Sequence, residues 1–243
     1  MRIWLKSLFV IVACVFGCTL LSTKYSISSP SVQLESAKVV YKIDQEPYNV
    51  QLDVPILNQM DAPRLFNGCE VTSLAMLLQF AGKDVTKNEL ASKLPTVPLK
   101  QNGQYGNPDK AFVGSITGAD SPGLGVYHAP IAKLATSYIN QANVHDITGS
   151  ELKDIISVLS TGAPVWIITT TNYQAPTNWQ TVTTKEGKKR ITYSMHSVVI
   201  TGYDKENFYI NDPYGYKNRT VKRSILEEGW NAMGKQAIYL SRP

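Results

Sequence analysis

Apolar residues recur at helical spacing through Val71, Leu74, Ala75 and Leu78, directly after the loop-like stretch 58–68. This pattern predicts a helix with one buried face, entered at Cys69 after a turn at Asn67-Gly68 and stopped at Ala81-Gly82. Thr86 and Glu89 have capping-box spacing and open a short helix that Pro95 ends. Pro130 opens another through about Asn140, with Ile131, Leu134, Ala135 and Tyr138 on one face. Ser150 caps a helix over residues 151–159, and Gly162 ends it.

Strand patterns follow a different distribution. Residues 52–57 read as the opening strand of the folded region, and residues 164–170, apolar on both faces, as a central one. Residues 179–184 and 189–195 form a hairpin across Glu186-Gly187. Residues 196–203 and 208–212 form a second, turning at 204–207. A short helix near 224–233 and a strand at 236–240 close the chain. Helices come first and strands gather later, which argues an α+β domain. Between residues 96 and 128, Pro and Gly recur from Pro98 to Gly125, predicting a long punctuated loop. Such a loop reads either as one wall of a binding groove or as a packed structural excursion.

Length changes the picture little: 243 residues suit one globular domain with appendages, large enough to need no disulfide staples. The N-terminus changes it more. Arg2 and Lys6 precede an apolar run over residues 8–21, which suits a signal-peptide core better than a helix spanning a ~30 Å hydrocarbon layer. Residues 1–25 are therefore expected to be a signal peptide or N-terminal membrane anchor, 26–48 a tether with a short strand near Val39-Val40-Tyr41, and 49–243 the folded domain. No clean cleavage site follows the run, so an uncleaved anchor stays open. Lipidation at Cys14 or Cys18 is the minority alternative. The expected location is secreted or cell-surface, with membrane contact only through this segment. Net charge is +5, and setting aside Arg2, Lys6 and Lys24 leaves +2, too little to argue for nucleic acid. Lys188-Lys189-Arg190 reads as the solvated end of a hairpin.

With Cys14 and Cys18 in the export segment, Cys69 is the single cysteine of the folded domain. Exported domains favour paired cysteines. A lone one is either an inert buried residue or a reactive thiol, and position leaves both readings open. At a helix N-terminus, however, the dipole and unpaired N–H groups favour a thiolate. A thiolate nucleophile needs a proton carrier. His128 and His145 lack a third-member partner in the sequence and read as structural. His196 begins a strand whose hairpin partner ends at Asp212, and a turn centred on Asp204 sets the two nearly opposite, on strands ~4.8 Å apart. Asp212 can then orient the ring of His196 while its other nitrogen faces a thiol. The Cys69 N–H is a candidate oxyanion donor. Gln59 reads on its own as an exposed loop glutamine. No clustered metal-ligand spacing exists, and no cofactor is implied.

Gln59, the run from Asn67 to Leu77, the run from Met195 to Asp204, and Asn211-Asp212-Pro213 together resemble the papain-like bacterial cysteine peptidases related to the bacteriocin-leader-processing (double-glycine) peptidases, nearest to their exported stand-alone branch. The resemblance covers about residues 54–240. It implies a papain-like fold, a helical half carrying the nucleophile packed on an antiparallel sheet carrying His and Asp. It also implies Cys69 as nucleophile, His196 as general acid/base, Asp212 as orienting carboxylate and Gln59 as oxyanion donor. Two departures stand out. Glu70 follows the cysteine where many relatives have glycine, and no exporter or ATPase follows, so leader processing is not carried over. The expected activity is hydrolysis of a peptide-type bond by a cysteine peptidase or amidase, its substrate a peptide or cell-wall peptide. The alternatives are a non-catalytic cell-surface binding module or a dedicated cell-wall peptide hydrolase.

Overall fold

The structure, a computed structural model, describes residues 47–119 and 121–241. The expected signal or anchor, Cys14, Cys18, nearly all of the tether and its short strand lie outside them. Residues 44–243 cluster as one unit. Its main sheet has seven strands: Val50–Gln51 (β1), Val144–Asp146 (β2), Val165–Thr170 (β3), Met195–Tyr203 (β4), Asn207–Asp212 (β5), Tyr216–Lys222 (β6) and Ala237–Leu240 (β7). The order is β6-β5-β4-β3-β7-β2, with every neighbouring pair antiparallel. β4 takes β3 along one edge from Met195 to Ile200, and β1 continues that edge at Gly202 and Tyr203.

The described residues form five α-helices, Cys69–Phe80 (α1), Lys87–Lys93 (α2), His128–Ala135 (α3), Leu152–Ser160 (α4) and Arg223–Ala232 (α5); α2 packs on α1 and the other four pack on the sheet. Alternation along β3 explains the layering. Trp166 and Ile168 join the core beneath α1 and α3, whereas Val165 and Ile167 join that beneath α4 and α5. β3 is buried at all its positions, as its two-faced apolar run predicts. α1 is buried from Cys69 through Leu78, and each fully buried Leu there contributes roughly 1.5–3 kcal/mol.

Several element boundaries differ from the sequence reading, each for a local reason. Residues 52–57 are not a strand: after β1 and the Leu52 N–H to Thr201 O bond, the Asn211 carboxamide takes the carbonyls of Val54 and Pro55. Thr86 caps α2 through Glu89 N–H, but the Glu89 carboxylate turns to Lys93 and Tyr138 instead of closing the box. α3 starts at His128, whose N–H is held by Gln236 Oε1, and gives way to turns after Ala135. Glu151, not Ser150, caps α4 and receives Asp154 Oδ2 on its N–H at 2.8 Å.

The first predicted hairpin is Gln180–Thr184 paired with Gly187–Ile191. It extends a small sheet through Gln104–Tyr105 and Lys100–Gln101. The basic run in it is solvated only in part, because Lys189 ion-pairs Asp109 and the Arg190 guanidinium lies 4.5 Å from the Trp179 ring centre. Much of the described part of the long 96–128 segment is packed rather than loose. Thr96–Val97, Phe112–Gly114 and Gly123–Gly125 form a three-stranded sheet, and Phe112, Val113 and Val126 are fully buried.

Candidate active site

α1 begins where the chain is squeezed. A Cβ on Gly68 would lie 2.5 Å from Leu65 Cβ, so the glycine permits close approach, not an unusual φ. Phe66 and Asn67 donate their N–H groups to Thr117 O and Ile116 O, which seats the 115–118 segment against the residues before Cys69. α1 is fastened to β4 around a single residue, Ser197. The Cys69 sulfur meets the Ser197 N–H, and one turn later Ser73 Oγ donates to Ser197 O at 3.1 Å. This brings the thiol to the residue next to His196.

His196 and Asp212 meet as expected, though by a different register. The pairs Val199↔Asn211 and Ile200↔Ile210 place position 214, not 212, across from His196, and a bulge follows between Ile200 and Gly202. The Tyr214 ring accordingly stacks on His196, centroids 5.1 Å apart. Asp212 reaches His196 diagonally, with Nε2 to Oδ1 at 3.0 Å and both side chains buried. The remaining ring nitrogen, Nδ1, is left for a thiol.

Asp212 has two further donors that the sequence does not announce. Its Oδ1 also accepts the Tyr214 N–H at 3.0 Å, and its Oδ2 accepts the buried Tyr173 hydroxyl at 2.5 Å. Burial would raise the Asp212 carboxyl, but His196, Tyr173 and the Tyr214 N–H outweigh it and hold the group below its ordinary range. Tyr173 stands at φ 66 in the loop after β3. No periodicity or capping signal in that polar loop points to Asp212.

Gln59 is not the exposed loop residue that its own context predicts: it is 1% exposed. Its N–H donates to Pro213 O, directly after Asp212, while Nε2 donates to Phe66 O at 2.9 Å, three residues before Cys69. One Nε2 hydrogen remains for another acceptor, and Oε1 is buried without a partner. The other two histidines sit elsewhere. His128 has an unforeseen partner, Asp146 Oδ2 at 2.5 Å, which ties α3 to β2. His145 stacks on Tyr239.

Burial opposes the thiolate-favouring helix end expected of Cys69. Cys69 is 7% exposed. Burial pushes its thiol well above the usual value, the Glu70 charge adds to that, and the Ser197 N–H opposes it. A helix terminus contributes only about 0.3–1 kcal/mol, too little to offset such desolvation. Glu70 is equally buried. Its Oε2 accepts from Cys69 Sγ at 3.3 Å and its Oε1 from the Val126 N–H at 2.9 Å, while the Trp166 indole N–H donates to its carbonyl. Burial raises the Glu70 carboxyl to about 7.

Residues 51–238 match the model of the Peptidase_C39 like family. The chain is 52% identical over 192 residues to the uncharacterised protein YvpB of Bacillus subtilis (strain 168), covering 79% of this chain and 76% of YvpB. It also superposes on the crystal structure of a C39-like peptidase from Bacillus anthracis with a TM-score of 0.75 at 39% identity, over 80% of this chain and 98% of that one.

Proposed function

The chain belongs to the Peptidase_C39 like family and has its papain-like α+β fold, and from that premise we propose that it is an exported cysteine peptidase or amidase hydrolysing a peptide-type bond in a peptide or cell-wall peptide. One observation carries this reading: the buried His196–Asp212 pair, with the Cys69 sulfur against the peptide N–H of the residue after His196. A merely structural cysteine needs neither a base nor an orienting carboxylate. The N-terminal pattern of residues 1–25 supports export.

In this reading Cys69 Sγ attacks the carbonyl carbon as its proton passes to His196. The oxyanion is held by the second Nε2 hydrogen of Gln59 and the Cys69 N–H, and the amine leaves with the proton from His196. Water, deprotonated by His196, then cleaves the thioester and restores the thiol. Asp212 holds the ring in one tautomer throughout.

The test uses two readouts. Iodoacetamide alkylation of Cys69 is expected to slow at least about tenfold in His196→Ala, since the imidazole no longer takes the thiol proton. Peptide and muropeptide mixtures, followed by intact mass, are expected to yield products with the wild type and none with Cys69→Ala. Equal alkylation rates together with no product from any mixture would replace this reading with a binding module.

A further inference from the structure

Glu70 is a buried carboxyl with an unusual set of neighbours. One oxygen is fixed by the Val126 N–H, the other faces the candidate nucleophile, and among the described residues no lysine or arginine pairs with it. Its surroundings are shaped to it. Gly125 stands at φ +111, and a Cβ there would lie 2.2 Å from Glu70 Oε1 and 2.1 Å from Met195 Cε. The ionisable groups nearby are Cys69 on its own helix, His196 from β4, and Asp212 and Tyr214 at the end of β5, whose charges couple to the thiol. The turn at Gly125-Val126 and β3, through Trp166, present no ionisable side chain to it.

A carboxylate here has a cost in two ways. It lies in a desolvated site without a counter-ion, and it repels the thiolate that attack requires. The neutral acid has neither defect. With Oε1 committed to the Val126 N–H, the proton must sit on Oε2, where it points at sulfur. We propose that Glu70 is a fourth ionisable member of the site, a proton donor to the Cys69 sulfur that allows the thiolate–imidazolium pair to form only while Glu70 is protonated. The inference rests on Cys69 being the nucleophile.

Protons balance simply. With Glu70 protonated, the thiol proton moves to His196, giving thiolate and imidazolium, and the Glu70 proton stays on Oε2 and donates to Sγ. When Glu70 loses its proton to solvent, the hydrogen bond reverses: the thiol donates to the carboxylate and stays a thiol, and His196 stays neutral. The site therefore senses pH through a group outside the Cys-His-Asp set. Ionisation about 7 sets the working range, competent below and damped above.

Glu70→Gln tests this, because its carboxamide oxygen must accept from Val126 and so turns NH2 towards sulfur, mimicking the neutral acid. Alkylation of Cys69 by iodoacetamide is followed against pH in the wild type, Glu70→Gln and His196→Ala. The expected rate ratio of Glu70→Gln to wild type is near one at about pH 6 and rises to about tenfold at about pH 8. A ratio that does not change with pH overturns the proposal. Infrared titration of the intact wild type supplies a second measure that does not depend on how the variant folds. A protonated carboxyl band lost near neutrality and absent from Glu70→Gln supports the assignment, and its absence from the wild type sinks it. A normal pH-dependent ratio with no His196→Ala effect and no peptide product would instead retire the peptidase reading.

Discussion

Asp212 sits among three donors: His196 Nε2 and the Tyr214 N–H on Oδ1, and the Tyr173 hydroxyl on Oδ2. Removing the hydroxyl with Tyr173→Phe leaves a buried carboxylate oxygen without its partner, a loss of about 1–3 kcal/mol. It also removes one of the bonds that hold the Asp212 carboxyl low, so that carboxyl titrates at higher pH. The acid limb of the pH–rate profile is expected to move upward, with kcat falling more than KM rises. An unmoved limb would make Tyr173 only a packing residue. Gln59→Ala probes a different atom. If Gln59 is the oxyanion donor proposed above, its loss is expected to lower kcat about 10²–10³-fold while Cys69 alkylation, which builds no tetrahedral oxyanion, stays near the wild-type rate. At this scale Cys69, His196 and Asp212 were legible because their types and local contexts are distinctive. Gln59 needed the family resemblance, since its burial depends on Pro213 and Phe66 from either side of the site. Tyr173 and Tyr214 were not legible at all: each acts through a contact that only the folded chain makes.

Elements were legible where burial imposes a period and less so where one side chain decides an end. α1 and β3 follow their apolar patterns. The 52–57 segment matches a strand pattern yet forms none, because Asn211 supplies its partners in place of a ladder. The β4–β5 hairpin was placed at the right turn but in the wrong register. Pairing Tyr203 with Phe208 centres the turn between Lys205 and Glu206, not on Asp204, and the bulge at Thr201 recovers only one residue of that difference. The turn after Gly123–Gly125 shows how tightly elements interlock at the site. Gly125→Ala both strains φ +111 and drives a methyl into Glu70 and Met195, so a loss of at least about 2 kcal/mol is expected in chemical denaturation. Truncating the obstacle gives a sharper check. In Glu70→Ala/Gly125→Ala the Glu70 share of the clash is relieved while the Met195 contact and the φ share persist, so the double variant is expected to be more stable than the sum of the singles. Strict additivity would show that the turn is not built around Glu70.

Across the described residues, three antiparallel neighbours, β3, β4 and β5, position His196 and Asp212, and one helix pressed on them positions Cys69. The α+β class was readable from element order, but the two-sided helical cover of the sheet was not, because nothing in α4 or α5 alone says which face they take. The same assembly makes stability depend on pH in a direction unusual for a carboxylate. Glu70 has its ordinary value of 4.5 when unfolded and about 7 when folded. Between those values the folded state holds the extra proton, so stability falls as pH rises through this window. The loss is on the order of 3 kcal/mol. Asp212 works the other way: its folded value is depressed, so its contribution is present above the ordinary carboxylate range and is lost as pH falls. The two windows are separate, and Glu70→Gln removes only the upper one. Denaturation midpoints of the wild type and Glu70→Gln, measured from about pH 4 to 8, are therefore expected to diverge progressively above about pH 5, with the variant the more stable at the alkaline end. Parallel curves would mean that Glu70 carries its charge in the folded state throughout, and the thiol would then face a permanent carboxylate.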